Sequence, residues 1–181
     1  NDAAFLYQLL GRLFGTNNFP DCSNMCHESS GVGMTESIAT GKGTVTLEDF
    51  EKADAIFVFG QNPGTNHPRM LSELEKASKR GARIVSFNPL KEAGLLNFTH
   101  PQNAVDMLLG RSTPISSHYY QVQIGGDMAA VRAMAKFLLE KAESDRSVLD
   151  HDFLERHTHG FEEYRSLVAE TPWEILLEQS G

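Results

Sequence analysis

Nowhere in this chain does an apolar run approach the ~20 residues that a helix needs to cross a bilayer, so no membrane span is expected. Cysteine is scarce. Cys22 and Cys26 are the only two, and a structural zinc site normally draws four ligands from two close pairs. Positive charge is in deficit as well: 16 Lys and Arg against 24 Asp and Glu leave a net charge of −8. That balance argues against a general nucleic-acid surface and leaves room only for a local patch around an anionic ligand. The G-x-G-x-x-G dinucleotide fingerprint is absent, as are internal repeats, low-complexity runs and linkers. There is no starting Met and no signal peptide, and Asn1 leads directly into a helical pattern, so the chain reads as an excised piece of something longer.

What is present is enough for one sizeable domain with a real core: 181 residues, 40% of them apolar, with mixed charge. The stretch 55–81, AIFVFGQNPGTNHPRMLSELEKASKRG, organises the rest. Residues 55–59 form a near-continuous apolar run, the signature of a parallel strand covered on both faces, and Gly60 stops it. A turn of Asn, Pro, Gly and Thr occupies 61–67, and Pro68 is expected at the first helical position, which tolerates a residue without an N–H. Met70, Leu71, Leu74 and Ala77 give that helix one apolar stripe, and Gly81 ends it. A second strand at 82–87 follows at once. The unit is therefore β-α-β, with a short polar loop at the carboxyl end of its first strand, the position where open α/β sheets bind ligands.

The remaining elements fit around this unit. A helix over 2–14 carries Phe5, Leu6, Leu9, Leu10, Leu13 and Phe14 on one face. Segment 19–34 holds both cysteines, lacks periodicity and reads as a loop that enters a short helix after Ser29. Thr46, with Asp49 three residues on, opens a short helix in the manner of a capping box. After 82–87 a second loop, Asn88-Pro89-Leu90-Lys91, leads through a less periodic region to a third strand at 119–124. The loop Gly125-Gly126-Asp127 then opens a helix whose stripe is Met128, Val131, Met134, Ala135, Leu138 and Leu139. Residues 149–181 read as two or three short helices, the last opening at Thr171-Pro172. The fold expected is α/β, a three-layer αβα domain spanning 1–181 with a mainly parallel, Rossmann-like sheet, whose three polar loops share one edge.

On residue chemistry alone, several readings of these loops stay open. Cys22 and Cys26 could be a disulfide, two plain thiols or part of a zinc site. A Cys26-His27 dipeptide in a polar loop also suits a metal-ligating thiolate. The loop 60–67 is either a phosphate cradle of backbone N–H groups at a helix amino end or an ordinary βα connection. Lys42, between Gly41 and Gly43, could meet a phosphate or simply be solvated. His100, His118, His151, His157 and His159 show no pairing and read as surface or satisfied core residues.

The order of the motifs narrows the choice. Cys26-His27, then GKGTVT at 41–46, ADAIFVFGQNPGTNHP at 53–68, GARIVSFNP at 81–89, Gly125-Gly126-Asp127, and HTHGF at 157–161 follow one another along essentially the whole chain. This series resembles the catalytic subunit of molybdopterin oxidoreductases, and within them the formate dehydrogenase alpha subunit. The resemblance implies a molybdenum or tungsten ion held between two molybdopterin guanine dinucleotides, with a 4Fe-4S cluster in a domain absent from this chain. It implies Cys26 as the protein ligand to the metal and His27 as the group that orients substrate or accepts a proton. Gly60, Asn62, Pro63, Thr65 and Asn66 would touch one dinucleotide. Asn88, Pro89 and Lys91 would lie near its nucleoside, and Gly126 and Asp127 would meet the guanine, with Asp127 accepting from N1 and N2.

Two departures bear on substrate. The family usually has Asp-Pro-Arg where Asn88-Pro89-Leu90 stands, with Lys91 as a partial substitute, and formate dehydrogenases commonly follow the histidine with Gly-Pro where this chain has Glu28-Ser29. The expected substrate is formate, with nitrate or another small oxyanion as the alternative, and a non-catalytic nucleotide-binding or structural module as the reading from another class. The other expected partners are the remaining domains of the catalytic subunit and an electron-transfer subunit, in a cytoplasmic setting and without nucleic acid. The isolated chain is expected to be inactive.

Overall fold

A computed structural model describes residues 2–19 and 23–181. Cys22, with residues 20 and 21 near the start of the anticipated 19–34 loop, therefore lies outside the described residues. Contacts divide the chain into two compact units, 1–46 and 47–181.

In the first unit, α1 spans Asp2–Leu13. Its apolar face has the anticipated spacing, yet none of its residues is buried. Phe19 returns to pack its ring over Gly11 and meets Tyr7 edge-on, with centroids 5.5 Å apart. The next segment corrects the sequence reading. Instead of a loop, residues Ser23–Glu28 form a π-helical turn that runs straight into α2, Ser29–Ile38. Thr35 donates from its hydroxyl to the carbonyl of Gly31 one turn earlier, a backbone tie available to a hydroxyl inside a helix that apolar periodicity does not register.

The second unit begins with the short helix α3, Leu47–Phe50, and then β1, Ala55–Phe59. A four-residue helical turn, α4, covers Pro63–Asn66, and α5 covers Met70–Arg80. Here the anticipated helix start moves. The Asn62 side chain caps α4 by accepting from the N–H of Thr65, with Pro63 in the first turn, so it is Pro63 rather than Pro68 that fills the proline-tolerant position. Gly81 ends α5 in the left-handed conformation, φ 94°, which glycine adopts without penalty.

Then come β2, Arg83–Phe87, α6, Ala93–Leu96, β3, Asn97–Phe98, α7, Ala104–Leu109, β4, Thr113–Pro114, and β5, His118–Tyr120. The region 97–114, which shows little periodicity, builds a small antiparallel ladder of β3 with β4. The last elements are α8, Asp127–Ser144, α9, His151–His157, α10, Phe161–Glu170, and α11, Trp173–Ser180.

The sheet is the anticipated one: β1, β2 and β5 lie side by side in that order, all parallel, with Phe57 opposite Val85 and Val85 opposite His118. Alternation along the strands sends Val58 and Ile84 to a core with Leu71, Leu74, Ala77, Leu95 and Ile115. Phe87 and Val85 turn to the other face and pack with Val122, Ala130 and Met134. The layers are thus α5 and α6, the sheet, and α8, which is the expected αβα arrangement.

Two boundaries differ. The third strand stops at Tyr120, because the chain leaves the sheet there and Gln123 donates its N–H to Ser180 at the end of α11. The anticipated stripe of α8 is also displaced. Its buried residues are Ala129, Ala130 and Lys136, while Met128, Val131 and Leu138 are exposed. Small alanines let α8 approach the sheet and α11 closely, and buried Lys136 spends its ammonium on the carbonyls of Val168 and Ala169 at the end of α10, 3.3 and 2.8 Å away. A lysine in that role is invisible to a hydrophobic count. Among the described residues no helix is long and apolar enough to cross a membrane.

Candidate functional site

The site residues fall into the two units. In the first, the π-helical turn places Cys26 and His27 on an exposed surface, and Cys26 carries a free thiol. A π-turn widens the helix by one residue, a distortion frequent at functional sites. A free, accessible thiol has the softness a metal already bound by sulfur would accept. Among the described residues no group of three or more His, Cys, Asp and Glu side chains comes together.

In the second unit, the carboxyl ends of the three strands are tied to one another. The N–H of Gly60 donates to the Phe87 carbonyl at 2.8 Å, and the N–H of Asn88 donates to the Tyr120 carbonyl at 3.1 Å. Asn88 is buried. Its amide donates to the Gln61 carbonyl and its Oδ1 accepts from the N–H of Leu90, both at 3.2 Å. The Asn62 amide reaches across to the Glu92 carboxylate at 2.6 Å. The N–H groups of Thr65 and Asn66 both turn inward to the Asn62 carbonyl. The first two loops are therefore brought together as anticipated, but much of the polar chemistry of Asn62, Thr65 and Asn88 is spent in fixing the loops. Lys91 is exposed and has no hydrogen-bond partner among the described residues. Glu92, which anchors Asn62, was not singled out by the sequence, where an acidic residue in a polar loop carries no distinguishing signal. Gly94 is held tightly here: a Cβ on it would stand 3.1 Å from the Gly64 Cα and 3.3 Å from Leu71 Cδ1.

The third loop opens differently. Gly126 packs so close to the end of α11 that an added Cβ would stand 2.7 Å from the Gln179 carbonyl and 2.9 Å from that of Ser180. Asp127 follows as the first residue of α8, and its Oδ1 is buried with no hydrogen-bond partner. Leaving such an atom unmatched costs about 1–3 kcal/mol, more when it is charged, so a donor is missing at this point. Asp127 lines a concavity of about 310 Å³ at the carboxyl end of β1, shared with Phe59, Met128, Val131, Arg132 and Tyr164. A carboxylate that lines such a hollow and keeps an unmatched oxygen fits a ligand edge rich in N–H donors, as the guanine edge of a dinucleotide is.

With that geometry in place, comparison with known proteins identifies the lineage. The family model described as molybdopterin oxidoreductase matches residues 1–118. The chain belongs to the molybdopterin oxidoreductase family. It is 52% identical to Protein YdeP of Escherichia coli K12 across the whole chain, which is 24% of that protein's length. It is 26% identical to formate dehydrogenase H of the same organism over 93% of the chain and 20% of the relative. Among solved structures, acetylene hydratase from Pelobacter acetylenicus superposes with a TM-score of 0.59 at 20% identity, over 93% of this chain and 20% of that one, a likeness of fold. The chain thus spans about a quarter of the length of the curated relatives it matches.

Proposed function

We propose that residues 1–181 form a molybdopterin guanine dinucleotide-binding domain in the larger catalytic subunit of a formate dehydrogenase-like enzyme. The observation that carries the reading is the likeness to formate dehydrogenase H along 93% of the chain, with an exposed free Cys26 followed by His27. Cys26 is the protein ligand to molybdenum or tungsten, and the cofactor, when bound, supplies the two-electron redox chemistry. His27 orients formate and holds the proton released as formate yields CO₂, one proton and two electrons. Asp127, with Gly126 before it, accepts from the guanine edge. Gly60, Asn62, Pro63, Thr65 and Asn66 pass along the dinucleotide, and Asn88, Pro89 and Lys91 flank its nucleoside, Lys91 supplying the cation that its loop otherwise lacks. The 4Fe-4S cluster, the electron-transfer partner and the closing domains belong to parts of the protein outside this chain, so the 181 residues alone are inactive. The cytoplasm is the proposed location.

One observation favours a second substrate. Glu28-Ser29 follows His27 where formate dehydrogenases commonly have Gly-Pro, and this departure beside the substrate-orienting histidine supports nitrate or another small oxyanion as the second substrate. A screen of the full-length protein with an artificial electron acceptor or donor separates these: formate-dependent reduction supports the first reading and nitrate-dependent oxidation the second. Metal analysis of the same preparation tests both. A protein purified intact without molybdenum or tungsten, even after growth with both metals, would leave only the reading as a non-catalytic nucleotide-binding module.

A further inference from the structure

The concavity beside Asp127 holds more unspent chemistry than one carboxylate. Asp127, Met128, Val131 and Arg132 share a patch on the opening turns of α8, since residues three or four apart lie close together there. Tyr164 reaches the same hollow from α10, and Phe59 from the last position of β1. Among the described residues neither the Arg132 guanidinium nor the Tyr164 hydroxyl has a hydrogen-bond or ion-pair partner. Three residues with an unmatched polar group, Asp127, Arg132 and Tyr164, therefore line a single recess together with Phe59, whose ring is 38% exposed beside Tyr164 at 41%. At about 310 Å³ the recess is at the small end of ligand pockets, which run from about 300 to 1,000 Å³. It has room for one planar ring system rather than a whole dinucleotide.

The donor and acceptor pattern selects the ring. A carboxylate wants two adjacent donors, which guanine offers at N1 and N2 and adenine does not. A guanidinium wants two adjacent acceptors, which guanine offers at O6 and N7. Aromatic side chains stack on any base and so hold without choosing. We infer that Arg132 and Tyr164 complete a base-reading pocket. Arg132 donates to the O6 and N7 edge of guanine opposite the Asp127 contact, Tyr164 stacks on the base together with Phe59, and Arg132 sets the preference for guanine over adenine jointly with Asp127. This deepens the dinucleotide reading above and rests on it.

The test uses the full-length protein prepared without cofactor and titrated by calorimetry with GDP, ADP and 7-deaza-GDP, the last lacking the N7 acceptor. Wild type is expected to bind GDP tenfold or more tighter than ADP, and 7-deaza-GDP more weakly than GDP. Arg132→Ala should lower GDP affinity by about 10- to 100-fold, the usual loss of hydrogen bonds to a charged group, and should abolish the difference between GDP and 7-deaza-GDP. Tyr164→Ala should weaken GDP and ADP by the same factor, while Tyr164→Phe keeps both affinities. The GDP and 7-deaza-GDP comparison needs no substitution, so it stands even if a variant folds poorly. If Asp127→Asn weakens GDP binding but Arg132→Ala leaves both GDP and the 7-deaza comparison unchanged, the inference falls and the guanine reading of Asp127 survives. If wild type binds GDP and ADP equally, or neither, the dinucleotide reading itself falls.

Discussion

The units 1–46 and 47–181 carry similar apolar patterns and put them to different use. In the second, Leu74, Ile84 and Leu95 are wholly buried, and the helix stripe of α5 meets the face of the sheet that its spacing anticipates. In the first, α1 also has an apolar stripe, yet Leu13 and Phe14 are each 79% exposed and no residue of the helix is buried. An amphipathic face states what a helix is able to bury. Whether it has done so depends on a partner. The larger protein expected around this chain should supply one for α1, whereas α5 already has its own.

Substitutions can break or sharpen that contrast. The largest effect is expected in the core: Leu74→Ala in the 181-residue chain should cost about 2–5 kcal/mol in urea unfolding, the range for emptying a packed site. Leu10→Ala on α1 should change the same midpoint by no more than about 0.5 kcal/mol, as surface changes do. A comparable loss at both positions would show that the face of α1 is covered within this chain. Hydrogen exchange sharpens the point, since the amides of α1 should exchange measurably more slowly in the full-length protein than in the 181 residues alone.

Next in size is Gly126→Ala. Its Cβ would meet three backbone oxygens at 2.7–3.0 Å, those of Gln179, Ser180 and Gln123, and backbone cannot give way as a side-chain tip can. Forcing that contact should cost about 1–3 kcal/mol and loosen α11 against α8, read as faster exchange in α11. Gly94→Ala, whose nearest neighbours, the Gly64 Cα and N and a flexible leucine methyl, stand farther off at 3.1–3.3 Å, should cost less, about 1 kcal/mol. An order reversed between these two would mean that the end of α11 is not fixed by Gly126.

The smallest effect is electrostatic. Burial pushes the Glu75 carboxyl up, but hydrogen bonds from Lys79 and Thr113 and the charges of Lys79 and His100 outweigh it and hold the group below its ordinary 4.5. A depressed carboxyl contributes stability that is present above the unfolded value and lost as pH falls through the folded one. Glu75→Gln should therefore cost about 1 kcal/mol at neutral pH, and the difference from wild type should shrink below pH 4.5. A difference independent of pH would show that the Glu75 charge contributes nothing to the tie between α5 and β4.

Much of this fold could be read from residues: β1, β2 and their parallel pairing from two apolar runs flanking one helix, and the end of α5 from Gly81. What escaped has specific causes. The Cys26 segment hides its helix because Ser, Asn, Glu and Gly outnumber apolar residues from 23 to 33. The buried stripe of α8 consists of alanines and Lys136, which no hydrophobicity scale ranks above the exposed Met128 and Val131. Within the proposed site, Asp127 stands in the Gly-Gly-Asp loop that carries the resemblance, whereas Arg132 gains meaning only beside it on a helix, and Tyr164 only once α10 has folded against α8.

The central claim is that Cys26, exposed in the unit in which none of the described residues is buried, is the protein's bond to the metal. X-ray absorption at the molybdenum or tungsten edge of the full-length protein, wild type against Cys26→Ala, reads that bond directly. The account predicts a metal–sulfur shell that loses one sulfur in the variant. It also predicts a fall in turnover of more than about a hundredfold, beyond the loss expected from merely disturbing a ligand's support. An unchanged sulfur shell in the variant would contradict it.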